Sequence, residues 1–261
     1  MLLAPLITAR REQAGYKGDI MRSLILLTML AAVMASQPGC SSEESDVDRA
    51  AREITVREIA AQTPEQATLL FENDYVMVAL FALEPGEIIP SHYGRNRAVY
   101  ALNDYKMKTT EGEQSIVEEP RIGTIHWHAE GIHSAQNVGD TTARFIVVFR
   151  KLSRLFDYSV VGTAEDFTCV APEYSEVLLE NPYMRVARFT LPRDKTLPLH
   201  RGLNRVTYSL NRYNLRYKSD KVGTLDQSCR VGSVNYYEAD SHEIENTGQT
   251  EARYLMFEMK E

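Results

Sequence analysis

The chain has six histidines, and all six lie in two blocks that resemble each other. His92, His126, His128 and His133 belong to the first copy, His200 and His242 to the second. Imidazoles titrate near neutral pH and are the commonest protein ligands of transition metals, so the clustering points to a buried polar or metal site in each copy. Each copy also carries an Asn-Arg pair, Asn96-Arg97 and Asn204-Arg205, followed by a tyrosine, Tyr100 or Tyr208. A guanidinium is a planar fork of donors that matches a carboxylate or phosphate bidentately. A tyrosine adds a hydroxyl and an aromatic wall. The candidate ligand-binding set is therefore His92, Asn96, Arg97, Tyr100 and His133 in the first copy, and His200, Asn204, Arg205, Tyr208 and His242 in the second. Such a set suits a small organic acid or sugar acid. The competing reading is structural: the arginine pairs with an acid such as Glu130 or Glu238, and the asparagine caps a turn. No nucleophile has a base to activate it, since Ser134 and its neighbour His133 point to opposite faces of a strand. There is no glycine-rich phosphate loop.

The elements that position these residues repeat as well. P-S-H-Y-G-R-N-R-A-V-Y from Pro90 returns as P-L-H-R-G-L-N-R-V-T-Y from Pro198. Leu69 to Phe81 returns as Val177 to Phe189, with Asn73-Asp74 and Asn181-Pro182 as turns between strands. Met184, Val186 and Phe189 alternate loosely with polar residues, as a half-buried strand would. Gly123 to Gly139 returns as Gly232 to Gly248, and both run into Ala-Arg and an apolar strand. In these blocks Asn137-x-Gly139 and Asn246-x-Gly248 read as turns, while Trp127, Tyr236 and Tyr237 read as packing residues. The period is too long for a solenoid unit, so each copy is a domain. Many short strands with frequent turns indicate double-sheet jelly rolls.

The P-x-H block and the G-x(9)-H-x(3)-N-x-G block resemble the two short motifs of the cupin family. The resemblance covers roughly residues 67–150 and 173 onward, and is nearest the small cupins of the β-alanine-degradation type. It implies an all-β fold of two tandem cupin jelly-roll β-barrels, a bicupin. In a metal-binding cupin, three histidines and a glutamate hold the ion. Carried over position by position, His92 takes the first place, Gly94 the second histidine's, Arg97 or Ala98 the glutamate's, and His133 the last. The second copy has His200, Gly202, Arg205 or Val206, and His242. Each barrel keeps two of the four ligands. His126 or His128 could complete a three-histidine site for a divalent transition metal with His92 and His133 in barrel 1, because residues two apart share a strand face. Asn235 and Tyr237 stand there in barrel 2. Matching substitutions in both copies point to a site type of its own.

The net charge of −7 and the absence of long basic runs argue against nucleic acid as the main partner. Residues 1–20 read as an upstream mis-start. Residues 21–40 read as a lipoprotein-type signal peptide that ends in Gly39-Cys40, with Cys40 the lipidation site. Simple secretory cleavage is the alternative. Residues 41–62 read as a linker, 63–152 as barrel 1, 153–172 as an inter-domain linker and 173–261 as barrel 2. Cys169 and Cys229 form an even pair that suits a disulfide in an oxidising compartment, with two free thiols as the alternative. The sequence thus predicts an envelope-associated bicupin, facing the periplasm or cell exterior, that binds a small polar or anionic molecule in its barrel. The alternative is a metal-dependent dioxygenase, isomerase or lyase acting through barrel 1. The expected partners are a small-molecule ligand, the membrane through a lipid anchor, and a second copy joined through the cupin sheets.

Overall fold

A computed structural model describes residues 65–151 and 156–260. The signal segment, Cys40, the expected linker 41–62 and residues 153–155 of the expected inter-domain linker lie outside the described residues. Each copy of the repeat folds into nine strands in two antiparallel sheets. In barrel 1, β1 (Ala67–Glu72), β2 (Val76–Leu83), β9 (Ala143–Arg150), β4 (Arg97–Ala101) and β7 (Ile125–His128) form a five-stranded sheet in that order. It faces a four-stranded sheet of β3 (Ile88–Gly94), β8 (Gly131–Asn137), β5 (Met107–Glu111) and β6 (Gln114–Glu118). Barrel 2 repeats the order with β10 (Ser175–Glu180), β11 (Met184–Leu191), β18 (Ala252–Met259), β13 (Arg205–Ser209) and β16 (Val234–Tyr237). Its smaller sheet is β12 (Thr196–Gly202), β17 (Asp240–Asn246), β14 (Tyr213–Ser219) and β15 (Gly223–Cys229). These are two tandem jelly rolls.

Strand β2 shows how the sequence dictates the packing. Met77, Ala79, Phe81 and Leu83 point into barrel 1, while Val76 and Val78 point away from it. Both faces are buried because the outward face packs against the other barrel. Val76, Val78, Ala98, Ile146 and Val148 meet Met184, Val186, Val206, Leu255, Phe257 and Met259 in a single apolar layer. The two five-stranded sheets thus cover each other within one chain. Trp127 stacks on Tyr183 with ring centroids 5.7 Å apart, and Phe71 on Tyr236 at 6.0 Å, so these aromatics close the seam.

β11 is not half-buried. Met184, Arg185, Val186 and Ala187 are all almost wholly buried. Arg185 is held by Asp166 at 2.7 Å and Glu258 at 2.6 Å, so a polar residue that reads as solvent-facing is an internal ion pair. Asp166 comes from the inter-barrel segment, where it caps the short helix α1 (Phe167–Val170) through the Thr168 N–H. Phe167 enters the core of barrel 2 beside Phe189. In barrel 1 the equivalent cross-strand pair is Met77 and Phe149, both apolar.

Cys169 and Cys229 are both free thiols, which corrects the expected disulfide. Cys169 is exposed on α1, whereas Cys229 is buried in the core of barrel 2 with Tyr213 and Leu215. Asn137 and Asn246 pin turns, as their motif suggests. Asn137 donates to the Leu83 and Thr141 carbonyls and accepts from Gly139 N–H; Asn246 does the same with Leu191, Thr250 and Gly248.

Candidate functional site

Strand parity builds the same site twice. β3 and β8 bring His92 directly opposite His133, with ring centroids 4.3 Å apart. β12 and β17 do the same for His200 and His242, at 4.1 Å. Arg97 and Arg205 each begin the strand that crosses the barrel wall, and their guanidiniums turn inward over these rings. Gly94 and Gly202 explain the missing second histidine. A Cβ on Gly94 would sit 2.5 Å from Arg97 Nη1, and nearer still to the His133 ring. A Cβ on Gly202 would sit 2.6 Å from Arg205 Nη1. The guanidinium occupies the space that a side chain there would need, and the H-x-G-x-N-R string is the sequence image of that contact.

The histidine tautomers follow from their partners. His92 Nδ1 donates to the Pro90 carbonyl at 2.8 Å, and His200 Nδ1 to Pro198 at 2.8 Å. His133 Nε2 accepts from Arg97 Nη2 at 2.8 Å. Burial depresses the His133 pKa to about 3, and Arg97 and His92 push it the same way. Burial with Arg97 and His126 lowers His128 to about 4. Burial also lowers His92, against its bond to Pro90. His92, His128 and His133 are neutral at pH 7, so Arg97 carries the positive charge of this wall.

The two barrels then diverge. In barrel 2, Arg205 pairs with Asp240 at 3.0 Å and donates to the Tyr217 hydroxyl at 2.6 Å. Burial alone would raise the Asp240 carboxyl. A bond from His242, the charge of Arg205 and the hydroxyls of Ser219 and Tyr217 hold it below the usual carboxylate range instead. Tyr237 lies against the guanidinium, 5.0 Å from ring centroid to carbon. In barrel 1 the register puts Gly131 in place of Asp240, Thr109 in place of Tyr217 and His128 in place of Tyr237. Arg97 donates to the Arg95 carbonyl at 3.1 Å, the Ala129 carbonyl at 3.3 Å and His133, and no carboxylate among the described residues bonds it. Burial lowers its pKa to about 10, with Glu111 acting through space in the opposite direction.

Smaller side chains also leave more room. Barrel 1 holds about 620 Å³ of empty space including its mouth, against about 430 Å³ in barrel 2. Its polar lining is His92, Arg97, His126, His128, His133, Thr109 and Glu118; Phe81, Val99, Met107, Phe145 and Phe149 line the rest. His126 and His128 therefore face the same cavity as His92 and His133.

The four histidines of barrel 1 do not fit a metal, contrary to the expected rescue site. The Nε2 lone pair of His133 is taken by Arg97, and a fixed cation stands where an ion would sit. Among the described residues no three His, Cys, Asp or Glu side chains come close enough to hold one. Tyr100 and Tyr208 are also placed differently from the expectation. They follow their arginines by three positions, so on a strand they point to the opposite face, into the inter-barrel layer. Asn96 accepts from Glu130 N–H, and Asn204 accepts from Ala239 N–H and the Tyr236 hydroxyl. Both hold turns, as the structural reading of the Asn-Arg pair has it. The arginines do not pair with Glu130 or Glu238; Arg205 takes only the Glu238 backbone carbonyl. The sequence reading missed Asp240 and Tyr217. Their signal was the Gly131/Asp240 mismatch two residues before the last histidine of each copy.

AerE from Microcystis aeruginosa is similar in structure, at 14% identity over 75% of this chain and 93% of that chain, with a TM-score of 0.56. Oxalate decarboxylase from Bacillus subtilis is similar at 14% identity over 79% of this chain and 72% of that one, with a TM-score of 0.52. The fold is a bicupin. A cupin 2 conserved barrel domain protein from Leptotrichia buccalis aligns at 16% identity, over 74% of this chain and 88% of that chain, with a TM-score of 0.45. No family model and no curated protein matches the sequence. At these identities the likeness is one of fold, and the bicupin's chemistry rests on its own residues.

Proposed function

We propose that this bicupin binds a small monocarboxylate with an apolar body in barrel 1. The observation that carries the reading is the contrast between two equivalent arginines. Arg205 is neutralised by Asp240, whereas Arg97 is buried with no bonded carboxylate. A buried guanidinium without an anion is costly, and a ligand carboxylate would complete barrel 1 as Asp240 completes barrel 2. One guanidinium beside the neutral His92, His128 and His133 supplies one positive charge, and Glu118, which also lines the cavity, opposes a second negative charge. The phenylalanines and Met107 would take the apolar part of the ligand. Oxalate decarboxylase of Bacillus subtilis, which has Mn(II) centres, acts on a small carboxylate. This chain would share the carboxylate but not the metal, because Arg97 holds the site.

Thermal unfolding of the full chain with acetate, isovalerate and phenylacetate tests this. Stabilisation should rise with the apolar body and disappear in Arg97→Met. If none of the three raises Tm, the reading fails. If a stoichiometric transition metal copurifies with untagged protein and is lost in His92→Ala and His133→Ala, the metal-dependent enzyme replaces it. We also propose that the barrels are tethered at the bacterial envelope through lipid on Cys40. Cys40→Ala should release the protein from the membrane fraction, and an unchanged distribution would count against the anchor.

A further inference from the structure

The inter-barrel seam ends in a cleft whose chemistry differs from that of either barrel. Along β11 the outward residues run Met184, Val186, Arg188 and Thr190, so the layer is apolar at one end and cationic at the other. β9 and β18 change in the same way. Arg144 and Arg253 share the outward parity of Ile146 and Leu255 and sit at the same end of the seam. Three guanidiniums from three strands therefore line one cleft, together with Tyr100 and Tyr208, in a protein whose net charge is −7.

The cleft is also open and donor-rich. It encloses about 1420 Å³ including its open side. Gly123 and Gly232, with φ of +84° and +81°, line the two tyrosine hydroxyls without side chains of their own. A Cβ on Gly123 would lie 3.7 Å from both Tyr100 Oη and Arg188 Nη1. Arg188 is already committed to Glu176 and Tyr100. Arg253 lies 3.9 Å from Glu251. The Arg144 guanidinium and the Tyr208 hydroxyl have no hydrogen-bond partner among the described residues, although the Tyr208 residue is only 4% exposed. Both donors reach the solvent of the cleft, so an acceptor that enters it can bond them without breaking a contact within the protein. Ile122 and Val231 are 67% and 69% exposed, occupy equivalent places in the two copies, and form apolar lips.

We propose that this cleft is a second binding site, for an organic dianion of the phosphate-monoester class. Arg144 and Arg253 would take the phosphate oxygens, Tyr208 would donate to a third, and Ile122 and Val231 would flank the apolar group. The site goes beyond the barrel 1 reading in both place and charge. A phosphate monoester carries close to two charges at pH 7.5, which suits Arg144 together with Arg253, whose long exposed contact to Glu251 at 3.9 Å a phosphate can displace, in a way that a single Arg97 does not.

Titration calorimetry of the full chain with phenyl phosphate at pH 7.5 tests the proposal. Both arginines are exposed, so the double variant Arg144→Ser/Arg253→Ser should stay folded, which circular dichroism checks. We expect saturable binding, a Kd raised at least about tenfold in the double variant, a few-fold rise in Tyr208→Phe, and no change in Arg97→Met. No heat of binding to the wild type would overturn the proposal. So would an unchanged Kd in the folded double variant, and so would loss of binding in Arg97→Met, which would place phenyl phosphate in the barrel.

Discussion

Replacing each site arginine by methionine should move stability very differently in the two barrels. Methionine keeps much of the arginine's length and removes the charge. For Arg97, burial has lowered the pKa from 12.5 to about 10, which corresponds to a penalty on the charged form of about 3 kcal/mol. That penalty disappears in Arg97→Met. Three hydrogen bonds disappear with it. Two of them end on the Arg95 and Ala129 carbonyls, whose backbone lies at the exposed end of the barrel and can take water instead. Penalty and lost bonds nearly cancel, so Arg97→Met should unfold within about 1 kcal/mol of the wild type.

Arg205→Met has no such compensation. Asp240 and Tyr217 would remain buried around a lost cation, and breaking a buried pair from one side costs about 3–5 kcal/mol. For a folded body of this size each kcal/mol moves Tm by about 2–4 °C, so the second variant should melt about 10 °C lower while the first shifts by about 3 °C or less. Urea titrations and thermal melts of both variants, without ligand, supply the comparison. Equal losses in the two variants would refute the claim that barrel 2 carries its own anion and barrel 1 does not.

Gly94→Ala should cost about 1–3 kcal/mol by forcing Arg97 and His133 apart, and should abolish carboxylate binding; wild-type stability in urea would show that the guanidinium does not need that space. Gly202→Ala meets slightly longer contacts, 2.6 Å to Arg205 Nη1 and 2.8 Å to the His242 ring, and should cost a comparable amount. The histidines set the acid limit. His133 and His242 have pKa values of about 3 and His200 about 4, below the 6.5 of the unfolded chain, so stability is full above pH 6.5 and falls as the unfolded chain takes up protons. Each of the three should remove about 2 kcal/mol by pH 5, and Trp127 fluorescence should report unfolding between pH 5 and 4. An unchanged Tm from pH 7 to 4.5 would contradict this.

The repeat made the jelly rolls and the His-x-Gly-x-x-Arg core legible, because His92 and His200 recur with their glycines and arginines in the same register. Tyr100 and Tyr208 were misplaced for a physical reason. A strand buried on both faces has no polar side to reveal parity, and only the odd spacing from Arg97 to Tyr100 carried the answer. Arg185 was hidden for a different reason. Its partners Asp166 and Glu258 lie far away in sequence, one of them in a segment that reads as linker. The cysteine pair illustrates the limit of counting: an even number says nothing about whether one thiol is on a helix surface and the other in a core.

What separates the barrels is a few substitutions on a shared frame. Both copies keep the paired histidines, the glycine and the inward arginine, so the arginine site belongs to the repeat itself. Barrel 2 fills it with Asp240 and Tyr217 from its own strands, and α1 packs into the same core. A guanidinium satisfied from within has little to offer an outside anion and adds rigidity instead. Barrel 1 has Gly131 and Thr109 at those places, leaving a charged group buried at a cost that folding alone does not explain. The asymmetry is intelligible if one copy anchors the fold and the other keeps its arginine for a ligand. On that logic, introducing Gly131→Asp into barrel 1 should raise ligand-free stability and eliminate monocarboxylate binding together. An introduced aspartate that left carboxylate binding intact would break the link between the two arginines.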